Sequence, residues 1–260
     1  MINHLKLISS EYLEEYSAKL EVNWLKILHR LTAKDFYVQN DFEYEIQSSA
    51  AYSSNIEGNS IDIDTYLKNK KFKIQSKPKE MIEIDDLISA YHFGMKNKSN
   101  QTNFLETHKL LSNTILTLKS QKGKLRNQQV GIFSGGKVEY MAVEPEFVKE
   151  EFLKLFSDIN ELLSQDLPPE KIFYHASIIH LVFEKIHPFM DGNGRAGRLL
   201  EKWFLAQKLG ANAWSIQSEK YYAAHRSEYY EKIHIGYNYY ALKMERCVPF
   251  LLMLPKSLEL

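Results

Sequence analysis

One twelve-residue segment, residues 187–198, reads HPFMDGNGRAGR and combines the residue types that phosphate chemistry uses. Arg195 and Arg198 are three residues apart, so on a helix they would share a face, and guanidinium groups bind phosphate through paired hydrogen bonds. Asp191 offers the hard oxygen ligand that Mg²⁺ prefers. His187, with an ordinary pKa of about 6.5, can act as a general base near neutral pH. The segment therefore predicts a site for a phosphorylated ligand.

This segment lies where one helix should end and another begin. Apolar residues at helical spacing occupy 169–186, and that helix should end at His187, because the residue before a proline is pushed out of the α region. A new helix is expected near Gly194. The first N–H groups of a helix have no internal partner, and Gly192, Asn193 and Gly194 would let a phosphate approach them. The letters also fit G-x-G-x-x-G, but a helix precedes them instead of a strand, which excludes a dinucleotide-binding fold.

The composition narrows the classes of partner. Of the 260 residues, 33 are Lys or Arg and 33 are Asp or Glu, so neither nucleic acid nor a membrane surface is expected as a partner. The single cysteine, Cys247, excludes an internal disulfide and a Cys-based zinc site. The N-terminus lacks an apolar signal segment, and no apolar run approaches the roughly 20 residues of a membrane-spanning helix. We therefore expect a cytoplasmic protein.

Most of the remaining chain has the apolar spacing of helices. Further helices are expected in residues 14–33, 41–56, 83–96, 104–119 and 146–163. In the helix at 169–186, one face carries Ile179, Val182, Phe183 and Ile186. The basic segment 68–78 lacks helical spacing and is interpreted as a linker. One β-hairpin is expected within 126–145, around a Ser-Gly-Gly turn at 134–136, and it should lie as a flap on the helical body.

The segment 187–198 resembles the signature of the Fic family, H-P-F-x-[D/E]-G-N-G-R-x-x-R, at every fixed position. Weaker similarity extends from about Asp85 to the C-terminal region, through the family's helix before the flap, its flap entry and its late Tyr-rich helix; these segments are 106–116, 122–132 and 218–233. The resemblance implies an all-α fold: a Fic-type helical core at 85–260 with a small β-hairpin flap, and an N-terminal helical extension at 1–84.

The resemblance also implies an activity. Fic proteins that act as protein adenylyltransferases transfer AMP from ATP, with Mg²⁺, to a Ser, Thr or Tyr hydroxyl of a target protein. Carried over by position, His187 would be the base and Asp191 the magnesium ligand. Arg195 would contact the β-phosphate and Arg198 the γ-phosphate. The anion hole would be formed by Gly192, Asn193 and Gly194.

A second segment, SSNIEG at 53–58, resembles the inhibitory motif [S/T]-x-x-x-E-[G/N] of the family. The motif residues are Ser53, Glu57 and Gly58. The resemblance implies that Glu57 pairs with Arg198 and keeps the γ-phosphate out, because one guanidinium group cannot hold a carboxylate and a phosphate at once. Taken alone, the segment also fits an ordinary helix end with a glycine cap.

The resemblance assigns two further regions. The flap would pair with the backbone of the target, and that role would fall to Gly136, Lys137, Val138, Glu139, Tyr140 and Met141. By the same resemblance, Tyr229 or Tyr230 is expected at the purine, while His225 stands where many relatives carry asparagine. His175 and His180 are interpreted as helix residues, because no thiol or clustered carboxylate accompanies them.

Alternatives to this function remain open at the level of sequence. One is a bifunctional enzyme that also removes AMP, or a transferase for another nucleotide. Another, of a different class, is a regulatory module that binds a partner and has low catalytic output. A DNA-binding regulator is disfavoured, because only about 20 residues follow the late helix. The resemblance also leaves a homodimer open.

Overall fold

The computed structural model describes residues 5–32, 39–72, 77–134 and 136–259. It is mostly helical with one two-stranded antiparallel sheet, which confirms the all-α class with a small hairpin. The elements are α1 (Leu13–Ala18), α2 (Trp24–Thr32), α3 (Gln39–Ile56), α4 (Ile63–Lys71), α5 (Lys79–Lys96), α6 (Gln101–Leu111), β1 (Gly131–Ser134), β2 (Lys137–Met141), α7 (Pro145–Ser164), α8 (Pro169–Ile186), α9 (Asn193–Leu209), α10 (Ser218–Ala224), α11 (Arg226–Ile233), α12 (Val248–Leu251) and α13 (Met253–Lys256).

Helix α8 is the centre of the molecule. Every residue from 172 to 186 is buried, so burial extends beyond the apolar face that the sequence indicates. The reason is that α7, α9, α1 and α12 pack around it, and its polar side chains are enclosed as well. Gly197 lets α9 lie close, because a Cβ there would be 2.6 Å from Glu184 Oε1 and 3.0 Å from His180 Cδ2.

The hairpin forms as predicted, although Gly135 of its turn lies outside the described residues. Gly131 pairs with Met141 and Ile132 with Tyr140, and a bulge follows between Ile132 and Phe133. Tyr140 anchors the hairpin to the body, because its side chain is buried and its hydroxyl donates to the carbonyl oxygen of Lys185 at 2.6 Å.

Three predicted helices are shorter than expected. The segment 14–33 is split, because α1 ends at Ala18 and Asn23 Oδ1 accepts the N–H of Lys26 at 3.1 Å in the first turn of α2; residue 33 is outside the described residues. Helix α6 ends at Leu111 instead of 119, because the chain then turns to bring Ile115 against the loop before α9.

The late Tyr-rich segment 218–233 is divided between α10 and α11 at His225, whose backbone departs from helical geometry. The predicted linker at 68–78 is partly wrong, because α4 extends to Lys71; residues 73–76 lie outside the described part. The proposed boundary at 84/85 falls inside α5, so it coincides with no break between elements, and the division into two domains stays a prediction.

Helix α3 from the N-terminal region packs against α5 and α10. Two buried serines fasten it to the catalytic region predicted from the sequence. Ser49 Oγ accepts a hydrogen bond from Lys202 Nζ at 2.6 Å, and Ser48 Oγ donates to Gln217 Oε1 at 2.9 Å. The end of α3 is thereby placed beside the start of α9.

Candidate active site

The loop between α8 and α9 forms the floor of a cleft of about 840 Å³. Strand β1, the start of α9, the end of α3 and helix α11 surround it. Two smaller cavities, of about 150 and 440 Å³, lie beside α2 and away from this loop. The cleft therefore collects the residues of both sequence motifs.

The backbone of the loop is held in an uncommon conformation. His187 has φ 51 and ψ 60, the one positive φ among non-glycine residues of the described ranges. Its N–H donates to the carbonyl oxygen of Phe183 at 2.9 Å, and its own carbonyl oxygen accepts from Arg126 Nε at 2.7 Å. Gly192 has φ 81, and a Cβ there would be 2.9 Å from Ile115 Cδ1, so this position requires glycine.

Asn193 contributes to the loop through its side chain. Its Oδ1 accepts the N–H of Phe189 at 2.9 Å, and its Nδ2 donates to the carbonyl oxygen of Phe189 at 3.0 Å. The buried amide therefore holds the loop together. What Asn193 can offer a ligand is its backbone at the start of α9, as predicted for the anion hole.

His108 on α6 is a loop support that sequence reasoning missed. Its Nδ1 accepts the N–H of Gly123 at 3.0 Å, which makes Nε2 the donor to the carbonyl oxygen of Asp191 at 2.9 Å. Its ring stacks on Phe189 with centroids 3.5 Å apart. Burial lowers the pKa of His108 to about 4, so it is neutral at pH 7 and this arrangement of donors is stable.

The side chain of His187 faces the cleft with 15% of its surface exposed. Burial lowers its pKa to about 4, so the imidazole is neutral at pH 7 and can accept a proton. Its Nδ1 lies 3.9 Å from Glu184 Oε2, too far for a hydrogen bond.

The two arginines of the loop differ in how they are held. Arg195 is 8% exposed and lies 3.5 Å from Glu83 Oε2 through Nη2, while its Nε and Nη1 have no hydrogen-bond partner among the described residues. Buried N–H groups without a partner are costly, and an anion would satisfy them.

Arg198 is fully buried and bonded on several sides. Its Nε donates to Ser53 Oγ at 3.0 Å, and its Nη2 donates to the Ser53 carbonyl oxygen at 2.9 Å and to Glu57 Oε1 at 2.7 Å. Its Nη1 donates to the Tyr229 hydroxyl at 3.3 Å. Burial alone would raise the pKa of Glu57, but the Arg198 guanidinium outweighs it and the pKa of Glu57 is lowered. The predicted partners are therefore in contact.

The end of α3 is also a glycine-capped helix end. Gly58 has φ 98, and its N–H donates to the carbonyl oxygen of Asn55 at 3.0 Å. The same turn places Glu57 on the start of α9, since a Cβ on Gly194 would be 2.2 Å from Glu57 Oε1. The glycine-capped helix end and the pair between Glu57 and Arg198, the two interpretations of segment 53–58, are therefore compatible and occur together.

Asp191 is an exposed carboxylate at the cleft, and its Oδ1 accepts the N–H of Gly192 at 2.6 Å. Within the described ranges no group of three or more His, Cys, Asp and Glu side chains could hold a metal by itself. A single carboxylate fits Mg²⁺, which commonly takes one or two carboxylates together with substrate phosphates and water.

The flap residues at the cleft overlap in part with those predicted. Strand β1 and the residue before it line the cleft through 130–133, and β2 contributes Glu139 and Tyr140. The side chain of Tyr140 is buried in the body, so it cannot project to a target. Met141 N–H donates to the carbonyl oxygen of Tyr237 at 2.9 Å, so this point of β2 is already paired.

The tyrosines of α11 take different positions. Tyr229 lines the cleft, is almost fully buried and accepts a hydrogen bond from Arg198, and its contact with a purine stays a prediction. Tyr230 is 42% exposed at the cleft, its hydroxyl donates to the carbonyl oxygen of Ile56 at 3.0 Å, and Arg226 Cζ lies 5.7 Å from its ring centroid. His225 stacks on Tyr221 and does not line the cleft.

Several cleft residues lie outside both sequence motifs and were therefore missed. They include Arg226, Ile233 and His234 from α11 and the segment after it, and Lys185 from α8. Burial lowers the pKa of Lys185 to about 8, and its Nζ lies 4.7 Å from the ring centroid of Tyr140.

None of the described helices has the length and apolar character to cross a bilayer.

Comparison with known proteins agrees with this fold. Residues 99–205 match the Fic/DOC family. A Fic family protein from Desulfovibrio desulfuricans has a similar structure, with a TM-score of 0.75 and 21% identity over 98% of this chain and 73% of that one. A Fic domain containing signaling protein from Bacteroides thetaiotaomicron is also similar, with a TM-score of 0.66. Its sequence is 17% identical, and the match covers 96% of this chain and 94% of that one. The family match thus covers residues 99–205, and the overall fold is that of solved Fic proteins.

Among curated proteins, the chain is similar to protein adenylyltransferase fic-1 of Caenorhabditis briggsae, with 27% identity over 176 residues. The match covers 68% of this chain but 28% of that protein. The chain thus spans little more than a quarter of the length of this relative.

Proposed function

We propose that the chain is a protein adenylyltransferase that transfers AMP from ATP to a hydroxyl of a target protein and is restrained by Glu57. One observation carries the proposal: a neutral His187 shares a cleft with the first turn of α9 and with two buried arginines. The similarity to a curated protein adenylyltransferase gives independent support for this class of reaction.

The arrangement suits attack on an α-phosphate. His187 would take the proton of the target hydroxyl, whose oxygen would then form a bond to the α-phosphorus. The bond from that phosphorus to the oxygen bridging the α- and β-phosphates would break, and pyrophosphate would leave. The N–H groups at the start of α9 and the Nε and Nη1 groups of Arg195 can stabilise the negative charge that spreads over the phosphates.

Mg²⁺ belongs to this proposal as the ion held by Asp191. The exposed carboxylate supplies the hard oxygen that the ion prefers. When bound, the ion would neutralise phosphate charge.

The target segment is proposed to add as a strand to β1. Strand β2 lies on one edge of β1, and among the described residues no strand lies on the other. That free edge belongs to residues that line the cleft beside His187, whereas Met141 of β2 is already bonded to Tyr237. Strand addition to β1 would therefore bring a hydroxyl of the target to the base.

Glu57 is proposed to hold the enzyme in a low-activity state. Its carboxylate occupies Arg198 Nη2 and lies against Gly194, so it takes the space and the donor that a terminal phosphate would need. Because carboxylate and phosphate compete for the same fork, removal of Glu57 should allow productive binding.

The test incubates variants with Mg²⁺ and ATP labelled on the α- or the γ-phosphate. His187→Asn keeps a residue that tolerates the left-handed backbone, and Glu80→Gln, at an exposed position outside the cleft, is the control for Glu57→Gln. We expect protein labelling from α-labelled ATP only, increased by Glu57→Gln, unchanged by Glu80→Gln and abolished by His187→Asn. Labelling from γ-labelled ATP would instead identify a phosphotransferase. Equal activity of wild type and Glu57→Gln would overturn the restraint.

A further inference from the structure

A buried chain of hydrogen bonds runs behind the cleft, from Glu201 to Arg198. Glu201 Oε2 lies 2.9 Å from His180 Nδ1, and His180 Nε2 lies 3.1 Å from the hydroxyl of Tyr229. That hydroxyl accepts from Arg198 Nη1 at 3.3 Å. The four residues come from α8, α9 and α11, and none has more than 2% of its surface exposed. None of the roles assigned so far to the cleft requires Glu201 or His180.

Each hydrogen bond between Glu201 and Arg198 can be assigned one donor and one acceptor, and every donor points towards Glu201. The Glu201 carboxylate only accepts, so the imidazole of His180 presents Nδ1–H to it. In a neutral imidazole Nε2 is then an acceptor, which receives the O–H of Tyr229. The Tyr229 oxygen is left to accept, and Arg198 only donates. Every member of this chain therefore uses its hydrogen-bonding capacity without conflict, which favours one fixed arrangement.

The other hydrogen bonds of Arg198 have a different origin. Ser53 and Glu57, which receive the remaining three that the structure describes, both lie at the end of α3. Under the proposed function, Glu57 leaves Arg198 before the nucleotide is bound productively. The bond to Tyr229 comes from the body of the protein and does not depend on α3.

We propose that Glu201, His180 and Tyr229 are positioning residues that hold the guanidinium group of Arg198 towards the cleft when Glu57 is withdrawn. This inference rests on the proposed function for its consequence, the binding of a terminal phosphate. A guanidinium group held in place loses less conformational entropy when it binds an anion, so its contribution to affinity is larger. The three residues would thus keep Arg198 in the orientation that binds the terminal phosphate of a nucleoside triphosphate.

The test compares Tyr229→Phe with Tyr222→Phe, both in the Glu57→Gly background. Tyr222 is the matched control, because its buried hydroxyl donates to Glu201 at 3.0 and 3.1 Å. It makes no hydrogen bond to Arg198 that the structure describes, so loss of a buried hydroxyl is common to both variants.

The first measurement follows restricted rotation of the Arg198 guanidinium group by ¹⁵N NMR of the arginine-labelled protein. It needs no nucleotide. We expect slow rotation in Glu57→Gly and in its Tyr222→Phe derivative, and faster rotation with Tyr229→Phe, in which the hydrogen bonds to Ser53 are the ones that remain of those described. Equally slow rotation with Tyr229→Phe would overturn the positioning role.

The second measurement is the ratio of ADP and ATP dissociation constants, obtained by calorimetry in the same background. Tyr229→Phe should lower the preference for ATP by about tenfold, the effect of one hydrogen bond to a charged group, while Tyr222→Phe preserves it. If Tyr229→Phe speeds up the rotation but leaves the preference for ATP over ADP unchanged, the hydrogen bonds from Glu201 to Arg198 are purely structural and the proposal is overturned. If neither nucleotide binds to Glu57→Gly, the proposed function fails and the NMR result alone decides the positioning role.

Discussion

Glu57 Oε1 lies 2.7 Å from Arg198 Nη2, across the entrance to the first turn of α9. The guanidinium group is fully buried, while the carboxylate keeps 30% of its side-chain surface exposed to the cleft. The pair therefore joins a fixed cation to an anion that can leave into open space. A ligand that brings its own negative charge can replace Glu57 without leaving Arg198 as an unpaired buried charge.

Gly194 and Gly197 of α9 lie three positions apart, but an added side chain at each would meet different surroundings. Substitution of Gly194 crowds the cleft, whereas substitution of Gly197 crowds the core. A Cβ on Gly194 would meet the end of the flexible Glu57 side chain at 2.2 Å, whereas a Cβ on Gly197 would meet packed atoms of Glu184, His180 and Phe183. Gly194→Ala should change the free energy of unfolding by less than about 1 kcal/mol but abolish nucleotide binding. Gly197→Ala should cost about 1–3 kcal/mol of stability.

Urea unfolding and calorimetric titration with ATP check both glycine variants. The interpretation would be contradicted if Gly194→Ala proved the less stable of the two, or if it bound ATP as the parent does.

Arg126 is a buried cation that ties the flap to the loop between α8 and α9. Its guanidinium group donates to the carbonyl oxygens of residues 128, 143, 186 and 187. Lysine is a point charge that cannot reproduce this planar fork, so Arg126→Lys should destabilise the protein by about 1–3 kcal/mol. It should also loosen His187, whose carbonyl oxygen loses its donor.

Hydrogen exchange of the flap amides and urea unfolding measure these two effects. Arg246→Lys, at an exposed position, is the control and should leave both unchanged. Unchanged protection of the flap in Arg126→Lys would exclude a tie between flap and loop.

Asp158 on α7 holds the N-terminal segment against the body. Its buried carboxylate accepts the N–H groups of Lys6, Leu7 and Ile8 at 2.7–3.0 Å. Asp158→Asn keeps the shape but replaces one acceptor by a donor, so it should cost about 1–3 kcal/mol and remove exchange protection at these amides. Glu161→Gln, exposed on the same helix, should do neither. Retained protection at Leu7 in Asp158→Asn would contradict the assignment.

The contact between the loop at 187–198 and the segment at 53–58 could be predicted from the sequence, because each motif consists of consecutive residues. Helix ends at 56 and 186 followed from glycine and proline positions for the same reason. The supports of the loop could not be predicted, since His108, Arg126 and Glu83 reach it from distant elements. The early end of α6 and the complete burial of α8 likewise depend on packing between elements, which a periodic pattern does not encode.

Three buried histidines predict how stability depends on pH. Burial lowers the pKa of His108, His175 and His187 to about 4, below the ordinary 6.5 that they regain on unfolding. Between pH 6.5 and 4 the unfolded chain therefore binds more protons than the folded one. Stability is fully present above pH 6.5 and falls as the pH drops through this window, by about 1.4 kcal/mol per pH unit for each histidine.

His175 allows this dependence to be tested away from the cleft. Both of its ring nitrogens are buried without a hydrogen-bond partner among the described residues, and Lys171 and Lys208 add to the effect of burial on its pKa. His175→Leu removes two unsatisfied polar groups and one titrating site. Urea unfolding from pH 7 to 4.5 should show a slope smaller by about 1.4 kcal/mol per pH unit, since one fewer proton is taken up on unfolding. An unchanged slope would mean that His175 titrates alike in the folded and unfolded chain.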